Sequence, residues 1–169
     1  MRWSFRLWGT RSLLNLCAHL ERYRGVGVKR IPVDSNGCLD MDACRAALGP
    51  GTAIVSMMWA NNETGTLFPV TELAALAHEA GALFHTDAVQ AVGKLPINLK
   101  ATPIDMLSLS AHKLHGPKGV GALYVRKGTP FHPLIRGGQQ ERGRRGGTEN
   151  VPGIGRPWPG STSRKPAYA

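Results

Sequence analysis

Long apolar runs are missing from this chain: no stretch approaches the roughly 18 residues that a membrane-spanning helix needs. The N-terminal segment MRWSFRLWGTRSLLNLCAHLERYRG lacks a compact apolar block followed by small residues, so it does not read as a secretory leader. Cysteine is scarce. Cys17, Cys38 and Cys44 are odd in number and have no CxxC spacing, which argues against a disulfide framework or a zinc ribbon and fits a reducing cytoplasm. Acids are outnumbered, 11 against 21 lysines and arginines, for a net charge of +10. That surplus raises nucleic-acid binding, which would fall steeply with salt. The distribution argues against it. Arg2, Arg6 and Arg11 in residues 1–14, and Arg156, Arg164 and Lys165 in residues 151–169, have no acid near them and supply six of the ten net charges. Within the body, Lys113, Lys118, Arg126, Lys127, Arg136, Arg142, Arg144 and Arg145 face only Glu141. A basic lobe of this kind suits a small anion such as phosphate at least as well as a polynucleotide. Internal repeats are also missing, as are HExxH, GxSxG and GxxxxGK[ST], the marks of a zinc protease, a serine hydrolase and a phosphate-binding P-loop.

What is present is one domain's length, 169 residues, with 42% apolar residues, enough for a core. LNLCAHLERY has helical spacing, and VGVKRIPV reads as a strand. Asp40 is the expected N-cap of a helix over MDACRAAL, which stops at Gly49-Pro50. AIVSMMW is a continuous apolar run of strand formers, as in a strand covered on both faces. A polar loop follows, then the helix VTELAALAHEA with Gly81 just past its end. ALFHT, IDMLSLS and GALYVR are three further short strands. This alternation predicts an α/β fold with a mainly parallel sheet flanked by helices. Three segments divide the chain: residues 1–14 and 151–169 read as loop or disorder, and 15–150 as the α/β body.

In parallel sheets, ligands sit beyond the carboxyl ends of the strands. The polar groups gather there: Asn61-Asn62-Glu63 after one strand, His85 and Asp87 at another, and Ser110, His112 and Lys113 at a third. Lys113 is either an ordinary surface lysine or an amine made nucleophilic by desolvation and cationic neighbours, as a Schiff-base lysine is. Asp87 is either the cap of a short helical stretch or a carboxylate that keeps a pyridine nitrogen protonated, as a pyridoxal-phosphate enzyme requires. Ser110, His112 and Thr148 are candidate phosphate donors near Gly-rich turns. A metal competes for His85-x-Asp87 and His112-x-x-His115, but that reading leaves Lys113 and Gln90 without a role.

WANNETGTLFPV, HTDAVQAVGKLPINL, SLSAHKLHGPKGVGALYVR and GGQQERGRRGGTEN, in that order, closely resemble the NifS-like cysteine desulfurases of the class V aminotransferase group. The resemblance covers roughly residues 15–152. It implies part of the large domain of a type I, aspartate aminotransferase-like pyridoxal-phosphate enzyme. Lys113 corresponds to the lysine that bonds the cofactor aldehyde, and Asp87 to the pyridine-nitrogen partner. Gln90 corresponds to the group on the phenolic oxygen, and Asn62 to the residue near that oxygen and the substrate carboxylate. Ser110 and His112 correspond to phosphate ligands, and Thr148 to the threonine that reaches the phosphate of a neighbouring subunit, which implies a homodimer. The implied chemistry moves sulfur from L-cysteine to a cysteine thiolate, leaving alanine and a persulfide for an iron–sulfur scaffold or other sulfur acceptor in the cytoplasm. Selenocysteine lyase shares these motifs. No metal, nucleic acid or membrane is expected.

The chain also departs from the family. The ring-stacking His and the phosphate-cradling Thr of the family's N-terminal part have no counterpart here; LWGTRSL stands before LNLCAHLE without a histidine. After TENVPGI, the small domain that carries the sulfur-accepting Cys and the carboxylate-gripping Arg is replaced by GRPWPGSTSRKPAYA. Cys17, Cys38 and Cys44 match no catalytic cysteine. The expectation is therefore a fragment truncated at both ends with foreign flanks, whose rival is a non-enzymatic remnant with the fold's residues and no turnover.

Overall fold

The computed structural model describes residues 4–8 and 10–155. Six strands form one sheet: β1 (Ser4–Trp8), β2 (Gly27–Arg30), β3 (Thr52–Met58), β4 (Leu83–Asp87), β5 (Met106–Ser110) and β6 (Gly121–Val125). Their spatial order is β2-β1-β3-β4-β5-β6. All neighbouring pairs are parallel except β5 with β6. β1 passes to β2 through α1 (Arg11–Arg24), β2 to β3 through α2 (Met41–Ala47) and β3 to β4 through α3 (Val70–Glu79), whereas β4 reaches its parallel neighbour β5 through the turns and loop of residues 88–105. The mainly parallel α/β sheet expected from the sequence is the one observed.

The helices begin and end where their residues dictate. Asp40 caps α2, its carboxylate accepting the Ala43 N–H at 2.9 Å, which satisfies a donor the first turn leaves unpaired. Gly25 closes α1 in the left-handed region at φ 63°, its N–H on the Leu20 carbonyl. α3 turns Val70, Leu73, Ala74 and Ala77 onto the sheet. They join Val55, Met57, Phe84, Ile104 and Leu107 in the main core. Each large apolar side chain there contributes about 1.5–3 kcal/mol. Among the described residues no helix is long and apolar enough to cross a membrane.

The N-terminal segment corrects the reading of residues 1–14 as loop or disorder. Ser4–Trp8 is a strand inside the sheet, paired with β2 on one side and β3 on the other. Arg11 already opens α1. Ser4-Phe5-Arg6-Leu7 alternates polar and apolar, a period too short to stand out beside two tryptophans and three arginines. Pairing on both sides decides the conformation here more than local propensity. At the other end, Val151–Ile154 forms one short helical turn, capped by the Asn150 side chain. The rest of the tail read as loop or disorder, 156–169, lies outside the described residues.

Candidate functional site

Strand register decides which polar groups meet. Met58, Asp87 and Ser108 are register partners across β3, β4 and β5. The three strands are parallel, so their carboxyl ends lie at one edge of the sheet. β3 runs on into the loop that holds Asn61 and Asn62. β4 ends at Asp87 and enters a tight turn that carries Gln90. β5 ends at Ser110 and passes into a 3-10 turn, Ala111–Leu114, that carries His112 and Lys113. Ser110 also faces Gly121 across the antiparallel pair. Gly121 has to be glycine there: a Cβ on it would lie 2.8 Å from the Leu109 carbonyl oxygen. Its lack of a side chain lets the strand fold back beneath the turn that presents Lys113.

The two asparagines of the loop divide its work. Asn61 builds it, its side-chain oxygen accepting the Glu63 and Thr64 N–H groups at 2.8 and 3.0 Å. Asn62 is exposed, with its amide on the Glu63 carboxylate. Asn62, Gln90 and Lys94 line a cleft of about 450 Å³ that opens to solvent. Lys94 Nζ donates to Gln90 Oε1 at 2.9 Å.

Asp87 holds the turn after β4: its Oδ1 accepts the Val89 N–H at 3.1 Å. Among the described residues its Oδ2 has no hydrogen-bond partner, so one oxygen is left over. Ser110 Oγ lies 2.8 Å from His112 Nδ1, and among the described residues the far ring nitrogen of His112 has no hydrogen-bond partner. Lys113 is exposed, and no described side chain or backbone group accepts a hydrogen bond from its amine. The site end of the sheet thus carries a free amine, a half-used carboxylate and an unengaged imidazole nitrogen within three strands.

Six of the seven sequence-derived residues therefore come to one edge: Asn62, Asp87, Gln90, Ser110, His112 and Lys113. Asn62 and Gln90 share the cleft, while the others are tied to it by strand register. Thr148 does not join them. It sits exposed in the loop before Val151–Ile154, a segment that packs back on Val120 through Gly153. The preceding turn, Gln140–Gly143, holds Glu141 and Arg142 in the left-handed region at φ 48° and 59°.

His85 is the residue whose part the sequence did not disclose. Its Nδ1 lies 2.7 Å from Ser56 Oγ and its Nε2 lies 3.1 Å from Ser108 Oγ. Both ring nitrogens are engaged, so the His85-x-Asp87 pair does not present a bare imidazole. Burial lowers the pKa of His85 below 6.5, and the nearby Asp87 charge opposes that in part. The signal was available: two residues apart on a strand share a face, so His85 and Asp87 look the same way. Among the described residues no three His, Cys, Asp or Glu side chains converge as a metal site requires. All three cysteines are free; Cys17 and Cys44 are buried and Cys38 is exposed. Burial, reinforced by the Asp40 charge, pushes the Cys44 thiol up to about 11.

Comparison with known proteins agrees with the fold. The sequence model of the Aminotransferase class-V family matches residues 8–156. A cysteine desulfurase of Cereibacter sphaeroides is 73% identical over 143 residues, covering 85% of this chain and 37% of that protein. A solved NifS-like protein superposes with a TM-score of 0.86 at 43% identity, covering 90% of this chain and 43% of the other. SspA, solved in complex with cysteine, superposes with a TM-score of 0.86 at 39% identity, covering 90% and 45%. The chain spans about a third of the length of the curated relatives it matches. The fold, the order of its motifs and the extent of these matches together place the chain in the class V aminotransferase family.

Proposed function

We propose that this chain holds pyridoxal phosphate at the carboxyl ends of β3, β4 and β5, and that it supplies the cofactor-binding part of a cysteine desulfurase. The observation that carries the reading is the pair of unused groups on adjacent strands: the Lys113 amine after β5 and Asp87 Oδ2 at the end of β4. The donor set fits the cofactor group by group. It offers an amine for an aldehyde, a carboxylate for a protonated pyridine nitrogen, an amide for a phenolic oxygen, and a hydroxyl with an imidazole for a phosphate.

When bound, pyridoxal phosphate supplies an electron sink for charge that develops on the substrate carbon. The residues do the rest. Lys113 is the nucleophile toward the aldehyde and afterwards carries a proton at Nζ to and from the substrate. Asp87 Oδ2 holds the ring nitrogen in its protonated form, because an anion beside a cation favours the charged state. Lys94 occupies Gln90 Oε1, so the Gln90 Nε2 group is the end left to donate to the phenolic oxygen. Asn62 serves the same oxygen and the substrate carboxylate. Ser110 and His112 hold the phosphate, and Thr148 reaches the phosphate of a second copy in a homodimer, which accounts for its distance from the other six.

The overall reaction converts L-cysteine and a thiol into L-alanine and a persulfide. The substrate C–S bond breaks, an S–S bond forms on the accepting thiol, and the carbon takes a proton. Cys17 and Cys44 are unsuited to accept sulfur, since burial disfavours their thiolates. Cys38 is exposed but matches no sulfur-accepting cysteine of the family, so in this reading the thiol comes from outside the described residues, and the persulfide passes to a sulfur acceptor such as an iron–sulfur scaffold in the cytoplasm. Reductive trapping tests the reading. Borohydride treatment of the chain mixed with pyridoxal phosphate fixes the cofactor's mass on the peptide that contains Lys113. Recovery of that mass on other lysines alone contradicts it.

A further inference from the structure

The Ser56–His85–Ser108 chain crosses three strands. Ser56 is the register partner of His85 on β3, and Ser108 is the partner of Asp87 on β5. A neutral imidazole has one N–H and one bare nitrogen, while each serine hydroxyl both donates and accepts. The three groups therefore satisfy one another in a single directed run, with His85 donating to one serine and accepting from the other. Ser56 is 1% exposed, so water does not replace a lost partner, and an unpaired polar group at that depth costs about 1–3 kcal/mol. Any slip of β4 against its neighbours opens at least one of these bonds.

We propose that His85 is a positioning residue for the cofactor site: an uncharged cross-brace that fixes Asp87 relative to the Asn62 loop on one side and to Ser110–Lys113 on the other. The inference rests on the pyridoxal phosphate reading above. Asp87 lies two residues on from His85 and on the same face of β4, so the brace acts one pleat below the carboxylate. The absence of charge on the ring matters as much as its bonds. Asp87 lies close enough for its charge to act on His85, yet burial keeps the imidazole neutral. The carboxylate is thus not neutralised from beneath and remains available to a cationic ring nitrogen. β3 and β5 face His85 with Ser56 and Ser108, neither of which titrates near neutral pH. Asp87 on β4 is the ionisable group whose charge acts on it among the described residues.

The test uses the full chain with added pyridoxal phosphate, as wild type, His85→Gln, His85→Phe and the double variant Ser56→Ala/Ser108→Ala. The readouts are the cofactor dissociation constant, the pH midpoint of its visible band, and the ring-nitrogen NMR signals of the cofactor-free chain with labelled histidine. Glutamine restores a donor and an acceptor without charge, so His85→Gln binds nearly as the wild type does. His85→Phe and the double variant bind about 10–100-fold more weakly, a range carried over from the removal of partners behind metal ligands, and their pH midpoint moves. Rescue by glutamine and a moved midpoint are results that a purely structural histidine does not give. In the cofactor-free wild type, the His85 signals are those of a neutral, doubly bonded ring at about pH 7 to 8, and they titrate at a lower pH than a free imidazole does. A His85→Phe protein that binds and titrates as the wild type does overturns the inference, as does a His85 that titrates like a free imidazole. Where circular dichroism shows His85→Phe unfolded, the double variant decides by the same criterion. A wild type that takes up no cofactor removes the reading of the site and this inference with it; a wild type and a His85→Phe protein that bind equally remove the inference alone.

Discussion

The two ends of the central strands carry polar side chains of similar kind and use them in opposite ways. At the amino end of β4 and β5, Asp105 Oδ2 accepts both the Phe84 N–H and His78 Nε2 at 2.7 Å. Beside it, Arg126 donates to the carbonyls of Leu99, Thr102 and Ile104 at 2.6–2.9 Å. At the carboxyl end, the Lys113 amine and Asp87 Oδ2 have no such partners among the described residues. A buried charge is tolerated when it is paired and hydrogen-bonded, and the amino end meets that condition internally. The carboxyl end leaves Lys113 exposed and Asp87 half-buried, where holding them unpaired costs less than in the core and a ligand can complete them. One end fastens the fold, and the other holds the groups that the proposed cofactor would complete.

Breaking the fastened end has the largest expected effect on stability. Asp105→Ala strands the Phe84 N–H in the core and releases His78, which lowers the unfolding free energy by about 2–3 kcal/mol. Urea denaturation measures it, and an unchanged midpoint would erase the contrast between the two ends. Gly93→Ala comes next. Gly93 has φ +77°, and a Cβ on it would lie 2.6 Å from Leu114 Cδ2, on the turn that holds Lys113. The substitution costs about 1–2 kcal/mol in thermal or urea unfolding. Because it presses the Gln90 turn against the Lys113 turn, it also weakens cofactor uptake in a titration.

A pH effect follows from His85. Its folded pKa lies below the 6.5 of the unfolded chain, so between the two values the unfolded state binds more protons. Stability is therefore complete above about pH 6.5 and declines as the pH falls through 6.5 toward the folded value. Denaturant midpoints across this range show the decline in the wild type and less of it in His85→Gln. The smallest effect belongs to the open end. Lys113→Ala removes an exposed, unpartnered side chain and changes stability by no more than about 0.5 kcal/mol, as a melting curve would record.

Much of this was legible in the chain. Asp40 before an amphipathic stretch, Gly81 after one and the apolar run 53–59 marked their elements because each signal is local. The candidate site was legible for the same reason: strand ends are easy to place, and the residues after them are polar. Two things were hidden. Ser4–Trp8 becomes a strand through pairing with β2 and β3, and such pairing leaves little trace in five residues. The role of His85 depends on Ser56, 29 residues earlier, and Ser108, 23 residues later; serine in a strand gives no sign of its partner until register is known. Thr148 was legible as a motif, but its exposed position lies apart from the other six residues, and its proposed part in the site depends on a second copy.

The central claim is that the open groups at the carboxyl ends form a site for pyridoxal phosphate. The most direct measurement is the visible absorbance of the purified chain titrated with the cofactor, beside Lys113→Ala at equal concentration. The account predicts a saturable band that shifts from the free cofactor's spectrum in the wild type, disappears on borohydride treatment and is missing from the equally folded Lys113→Ala protein. A folded wild type with no band, or a band that survives in Lys113→Ala, would contradict it.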